Sequence, residues 1–211
     1  MSSEELSASS SASLVASAQK LSTVEILQYI SEVSLPSSSQ GQHEFKTIVR
    51  KAPFLQTEQD EIFSIFSTNM RQLYVNSAFG WNPTSKKKEL FHKSSRYAIV
   101  REVKSNMMAG YIMFRFDQEE RLDDELDPVV YIYELSVNPK FQRSGLGRYL
   151  VNAAGEIGKK TNMRKMVLTL LKANAKASTF YESIGFMIDP ISPSQFPDHE
   201  SVDYEILSKT I

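Results

Sequence analysis

The sequence predicts an α/β fold, a mixed β-sheet covered by helices, and three features carry that prediction. Val129 to Val137 (VVYIYELSV) is a run of β-branched and aromatic residues bounded by Pro128 and Asn138-Pro139, the pattern of a central strand. Helical and strand patterns alternate after it, as in parallel units joined by helical crossovers. Before it, two strand-like runs separated by Lys104-Ser105-Asn106 read as an antiparallel hairpin, so both pairings share one sheet.

A chain of 211 residues fits one domain with a tail. Residues 1–40 contain 14 Ser and almost no aromatics, a Ser-rich extension with too little apolar surface to offset the entropy of ordering. The exception is residues 21–33, where Val24, Leu27, Ile30 and Val33 recur every three residues behind Ser22 and Thr23, with Glu25 in the first turn. A short helix fits there, either docked or formed only on contact. Pro36 and Ser37-Ser38-Ser39 read as a linker, and residues 41–211 as the folded domain.

Within that domain, Glu58 to Tyr74 places Ile62, Phe63, Ile65, Phe66, Met70 and Leu73 at helical spacing. Pro83 and Lys86-Lys87-Lys88 read as a polar connection, the lysines solvated, with ribosomal RNA contact as the lesser alternative. Tyr97 to Val100 and Ala109 to Phe116 are the hairpin strands. Gln118 to Asp127 is acidic and reads as irregular: from Asp117 to Asp127 seven carboxylates face Arg121 alone, a local charge of −6. A solvated tip and a steering surface for cations fit this segment equally. Leu146, Tyr149, Leu150, Ala153 and Ile157 mark a helix, and Met166 to Leu171 a strand. Ala175 to Ile184 is a second helix closed by Gly185, and Tyr204 to Leu207 a last strand.

Composition narrows the function classes. With 24 Lys+Arg against 25 Asp+Glu the net charge is −1, which argues against a duplex-DNA binder. The absence of Cys removes thiolate nucleophiles, Cys-based zinc sites and disulfides. His43, His92 and His199 have no ligand spacing, so no metal is expected. No apolar run approaches a membrane span, and the N-terminal residues lack a signal pattern, so cytoplasm and nucleus are expected.

The segment that carries chemistry follows the central strand: Asn138-Pro139-Lys140-Phe141, then Gln142-Arg143-Ser144-Gly145-Leu146-Gly147 opening a helix. Unpaired N–H groups at such a turn form a site for a pyrophosphate, although an ordinary strand-to-helix turn fits a bare Gly-x-Gly as well. In its place between strand and helix, the run resembles the Arg/Gln-x-x-Gly-x-Gly/Ala signature of the GNAT acetyltransferases. Asn174 with Ala177, Tyr181 and Gly185-Phe186 resembles their downstream element. The resemblance implies a GNAT fold with splayed central strands and acetyl-CoA as cofactor. The N–H groups of Gln142, Arg143, Ser144, Gly145, Leu146, Gly147 and Arg148 would hold its diphosphate, Leu135, Ser136 and Val137 would pair with its pantetheine, and Asn174 would contact its arm.

Six islands resemble, more narrowly, the NatD-type N-alpha-acetyltransferases: Asn69-Met70 with Tyr74; Gly80-Trp81; Phe114-Arg115-Phe116-Asp117; Tyr131-Ile132-Tyr133-Glu134; Met166-Val167-Leu168-Thr169; and Tyr204-Glu205-Ile206-Leu207-Ser208. This implies acetylation of the free N-terminal Ser of histone four and histone 2A by direct attack in a ternary complex. A monomer is expected, with ribosome association as a further contact, and the charge balance and lack of a long apolar run argue against direct DNA or membrane binding. By the same resemblance Glu134 is the general base, acting through water, and Tyr133 positions the amine. Tyr74, Phe79, Trp81, Asp117, Glu119, Tyr131, Tyr133, Thr169 and Tyr204 contact the peptide. Tyr181 lies near the leaving sulfur, with core packing an equal alternative. Phe79 stands where the family carries Trp, and the 118–128 loop is longer than the family's. From alternation alone, Glu134 sits opposite Tyr131 and Tyr133 unless a bulge intervenes, and a solvated or paired carboxylate fits the position too. The loop signature by itself also fits an enzyme acting on lysine or a small amine, or a non-catalytic acyl-CoA-binding module.

Overall fold

The computed structural model describes residues 3–36, 43–197 and 202–211. The linker assigned to Ser37 to Ser39, and His199, fall outside these residues. Strands β1 (Phe45–Lys51), β2 (Arg96–Glu102), β3 (Met108–Glu120), β4 (Leu126–Val137), β5 (Lys165–Leu171), β6 (Met187–Ile188) and β7 (Tyr204–Thr210) form one sheet of order β1-β2-β3-β4-β5-β7-β6. Every neighbouring pair is antiparallel except β4 with β5. A parallel pair needs a crossover, and α5 (Leu146–Lys160) supplies it. The expected α/β mixed sheet is therefore present, with β4 at its centre.

Alternation along the strands builds two apolar clusters. Val100, Ile112, Phe114, Val130, Ile132 and Leu168 pack with α5, α1 (Ser3–Lys20) and α2 (Thr23–Tyr29), joined by Tyr181 and Ile184 from the end of α6 (Ala175–Ser183). Tyr97, Ile99, Tyr111 and Met113 pack on the other face, under α3 (Gln56–Val75) and α4 (Pro83–Leu90).

Four sequence expectations change. Residues 3–20, read as unstructured Ser-rich chain, form α1. Ser11, Val15 and Ala18 are buried at helical spacing, and their small side chains let the helix lie close on the sheet. Polar contacts complete the docking: the Gln118 amide donates to Ser11 Oγ (3.1 Å), the Gln19 amide to the Phe116 carbonyl (3.2 Å), and Arg96 to the Gln19 carbonyl (2.8 Å). In α2 the buried stripe is Ile26 and Ile30, while Val24 and Leu27 are exposed. A strict three-residue repeat drifts off one face of a 3.6-residue helix. The segment from Pro83 is α4 rather than a connection. Asn82 Oδ1 caps it by accepting from the Ser85 N–H (3.0 Å), Pro83 opens it, and Lys86 and Leu90 are its buried face. Finally, the acidic segment is mostly strand. Pairing continues to Glu120 opposite Leu126, and Arg121 in the tip is bound by Asp123 (2.6 Å) and Glu125 (3.0 Å).

Gly110 on β3 fixes how closely β3 and β4 approach beside the site. A Cβ there would lie 3.0 Å from the Ser136 carbonyl oxygen and 3.3 Å from Val137 Cα, backbone atoms that cannot turn aside. Gly110→Ala is expected to cost about 1–3 kcal/mol, measurable as a lower urea midpoint. An unchanged midpoint would mean that the two strands separate freely here.

Candidate active site

The site forms where β4 and β5 part. Their parallel pairing runs from Val129 with Lys165 to Ile132 with Leu168 and stops, although β4 continues to Val137 and β5 to Leu171. The edge of β4 that faces β5 beyond Ile132 thus has no strand partner. At the same point β4 bulges: Met113 pairs with Glu134 and Phe114 with Ile132, leaving Tyr133 as the extra residue. The bulge resolves the alternation problem. Tyr131, Tyr133 and Glu134 all open into one cleft of about 410 Å³, and Ile132 and Leu135, which also pack in the α5-side cluster, border it.

Glu134 is buried at the floor of this cleft. Its Oε1 accepts from Ser136 Oγ (2.9 Å), and its Oε2 lies 3.6 Å from the Lys86 Nζ. Burial raises the Glu134 carboxyl above its ordinary pKa, and Lys86 and the Ser136 hydroxyl pull back against that rise. Burial alone would lower Lys86. Glu134, Tyr74 and Glu89 together outweigh it and raise the ammonium, so Lys86 stays charged. Lys86 also donates to Glu89 (2.5 Å) and to the Tyr74 hydroxyl (3.1 Å). The reading of all three lysines as solvated is corrected for this one: its side chain is 7% exposed. The Asn82-Pro83 helix start, which places Lys86 and Leu90 on one face, was the available signal.

Six of the nine proposed peptide contacts line the cleft: Tyr74, Phe79, Tyr131, Tyr133, Thr169 and Tyr204. Phe79, 52% exposed, forms the rim, its ring 6.2 Å from Tyr74 and 5.6 Å from Tyr204. The Tyr131 and Thr169 hydroxyls are 2.7 Å apart across the β4–β5 junction, and burial pushes the Tyr131 phenol up to about 12. The Tyr133 phenol is also raised by burial, against the pull of Arg115, whose guanidinium lies 4.1 Å from the ring centre. Trp81 lies behind this wall rather than in it, stacked on Phe66 at 5.7 Å with the rings 11° apart. Asp117 and Glu119 do not line the cleft; by alternation along β3 they follow Arg115 on the same face. Burial raises the Glu119 carboxyl, and Lys165 counters it.

The expected cofactor segment is a tight turn that opens α5. Gly145 (φ 85°) starts α5, and Arg143 (φ 65°) is left-handed as well. The first hydrogen bond of α5 runs from the Tyr149 N–H to the Gly145 carbonyl, which leaves the N–H groups of Leu146, Gly147 and Arg148 without an acceptor inside the helix. These donors at the start of a 15-residue helix form an anion cradle. Gly145 is favoured by its φ, and a Cβ there would meet Pro36 Cβ at a tight 3.3 Å. The loop is tied to β4 by Gln142, whose amide donates to the Val137 carbonyl (3.2 Å), and the Ser144 hydroxyl donates to the Phe141 carbonyl. Val137 also accepts from the Asn69 amide (3.1 Å). Leu135 lines the cleft, the Ser136 side chain supports Glu134, and the Leu146 side chain is core. Asn174 caps α6 by accepting from the Ala177 N–H (3.3 Å), and it borders the cleft with Tyr181. Burial holds the Tyr181 hydroxyl well above the ordinary tyrosine range.

Among the described residues no group of three or more His, Asp or Glu is placed to hold a metal, and no helix is long and apolar enough to cross a membrane.

Comparison with known proteins fits this arrangement. The model of the acetyltransferase (GNAT) family matches residues 61–186, and the chain belongs to that family. It is thus an acetyltransferase of the class that draws its acetyl group from acetyl-CoA. Three solved structures share the fold. The acetyltransferase of the GNAT family from Staphylococcus aureus Mu50 has 11% identity and a TM-score of 0.57, over 78% of this chain and 99% of its own. Ard1 from Thermoplasma volcanium has 17% identity and a TM-score of 0.52, over 78% and 97%. Arabidopsis thaliana Naa50 in complex with the bisubstrate analogue CoA-Ac-MVNAL has 18% identity and a TM-score of 0.51, over 78% and 99%.

Proposed function

We propose that the protein acetylates the free α-amine of an N-terminal Ser, in the NatD manner, with the N-terminal peptides of histone four and histone 2A as substrates in cytoplasm and nucleus. The observation that carries this reading is the bulge at Tyr133, which turns Glu134 into a cleft walled by Tyr74, Tyr131 and Tyr204 where β4 and β5 part. Acetyl-CoA, when bound, supplies an activated thioester. The N–H groups of residues 142–148 would hold its diphosphate and the unpaired edge of β4 its arm.

Glu134 would take the amine proton through a water as the amide bond forms and the thioester C–S bond breaks, Tyr133 would orient the amine, and the Tyr181 hydroxyl, kept protonated by burial, would stand beside the departing sulfur as a hydrogen-bond donor. The demand on Glu134 is modest, because an α-amine has a pKa of about 7.7–8.0 and is partly neutral near pH 7. A lysine at about 10.4 is almost wholly protonated. Asp117 and Glu119 suit the Arg of a Ser-Gly-Arg-Gly start.

Intact-mass spectrometry after incubation with acetyl-CoA tests this. A Ser-Gly-Arg-Gly-Lys peptide is expected to gain one acetyl group, and the same peptide with its α-amine blocked none. Acetylation of both would make it a lysine enzyme. Acetylation of neither, despite acetyl-CoA binding, would point to another amine or to a non-catalytic module.

A further inference from the structure

Lys86 is the buried member of a run whose other two lysines, Lys87 and Lys88, are exposed. Its ammonium joins three elements at one point: Tyr74 of α3 at 3.1 Å, Glu89 of its own helix at 2.5 Å, and Glu134 of β4 at 3.6 Å. It also lies 4.9 Å from the centre of the Phe66 ring and 5.3 Å from that of Tyr74. Two of its three N–H groups go to Glu89 and Tyr74, which fixes the charge in place beside Glu134.

We propose that Lys86 is a positioning residue for Glu134: its fixed, buried charge keeps the carboxylate ionised inside a dehydrated cleft and balances it, so that an arriving amine is not trapped as ammonium. The second half of this inference rests on the acetyl-transfer reading; the first does not. A carboxylate in apolar surroundings takes up a proton unless a cation stands within about 4–6 Å, and such a cation typically lowers its pKa by about one to three units. Among the described residues, the other groups facing Glu134 supply no cation. They are Tyr74 from α3, Glu89 from α4, Tyr97 from β2, Tyr111 from β3, Tyr133 and Ser136 from β4 and Tyr181 from α6. Arg115, beside the Tyr133 ring, is engaged elsewhere, by the Glu89 carbonyl and the Ser95 hydroxyl. An unbalanced carboxylate would also raise the pKa of an amine bound against it, opposing the proton loss that nucleophilic attack requires.

The test uses the full chain with Lys86→Met, which keeps length without charge, and Lys86→Arg. Carbon-13 NMR of the Glu134 carboxyl, assigned by difference against Glu134→Gln, reads its titration without any turnover. Lys86→Met is expected to raise the midpoint by at least about one unit and Lys86→Arg to leave it near wild type. With the Ser-Gly-Arg-Gly-Lys peptide, the acidic limb of kcat/KM should move up by the same amount in Lys86→Met, with activity recovered at high pH. Should Lys86→Met melt early, adding Glu134→Gln is expected to restore most of the lost melting temperature, since a neutral amide needs no cation. An unmoved NMR midpoint, a rate lost equally at every pH, or no thermal rescue would each overturn the proposal. A moved midpoint in a protein whose wild type leaves α-amines untouched would instead retire the acetyl-transfer reading and keep the charge assignment.

Discussion

Glu134→Gln is expected to lower kcat about a hundredfold while leaving acetyl-CoA affinity within about twofold, as read by single-turnover kinetics and by calorimetry. The amide keeps the shape of the side chain and the contact with Ser136, but it cannot accept a proton at pH 7. Acetyl-CoA binding is expected to survive because the donors of residues 142–148 stand on a separate loop at the start of α5. The defect should also shrink with rising pH. Above the α-amine pKa of about 7.7–8.0 the substrate arrives already neutral, and a base contributes less. A variant with wild-type kcat at pH 7 would remove Glu134 from the chemistry. A defect that stays constant up to pH 9 would recast it as a residue that shapes the cleft. Lys86 does not lose all its partners in this variant, since Glu89 and Tyr74 still bind it, so the lost turnover reports on the proton acceptor rather than on collapse.

How far the sequence reaches is set by which signals are local. The central strand, the loop after it, α5 and α6 are written in short patterns and cap residues, and they stand where expected. The face of Glu134 is another matter. Strict alternation in VVYIYELSV places it away from the two tyrosines, and only the pairing of Met113 with Glu134 beside Phe114 with Ile132 shows the extra residue. A bulge is a property of two strands, so one strand's sequence does not reveal it. The burial of Lys86 is hidden from the sequence for a related reason. A run of three lysines looks solvated by composition, whereas burial of the first depends on carboxylate and aromatic partners from α3 and β4 that are distant in sequence. The N-terminal helix shows the opposite error, since its Ser and Ala content reads as disorder until Ser11, Val15 and Ala18 are seen to share one face. Trp81 marks the limit of residue-by-residue transfer: its stacking on Phe66 leaves the exposed edge of the wall to Phe79.

Asp117→Ala is expected to raise KM for a peptide beginning Ser-Gly-Arg-Gly by about ten- to a hundredfold with little change in kcat, and to leave a Ser-Gly-Ala-Gly peptide within about twofold. Asp117 pairs with Val129 and Met113 with Glu134, so Asp117 lies four residues along β3 from the level of Glu134, about 13 Å at strand spacing. An extended peptide whose amine meets Glu134 and whose chain runs out past Tyr133 and Tyr131 carries its third Cα about 7 Å along, and the long Arg side chain covers the rest of the way to Asp117. Arg115 does not compete for Asp117, because the Glu89 carbonyl, the Ser95 hydroxyl and the Tyr133 ring already hold its guanidinium. A hydrogen-bonded charge pair of this kind contributes about 1.5–3 kcal/mol, and the planar fork of Arg uses both carboxylate oxygens where Lys offers a point charge. A third-position Lys should therefore fall between Arg and Ala in wild type, and all three peptides should converge in the variant. Added salt should narrow the wild-type spread as well, since the contact lies outside the closed part of the cleft. If Asp117→Ala weakens the Arg and Ala peptides equally, the carboxylate supports the strand and does not read the third residue.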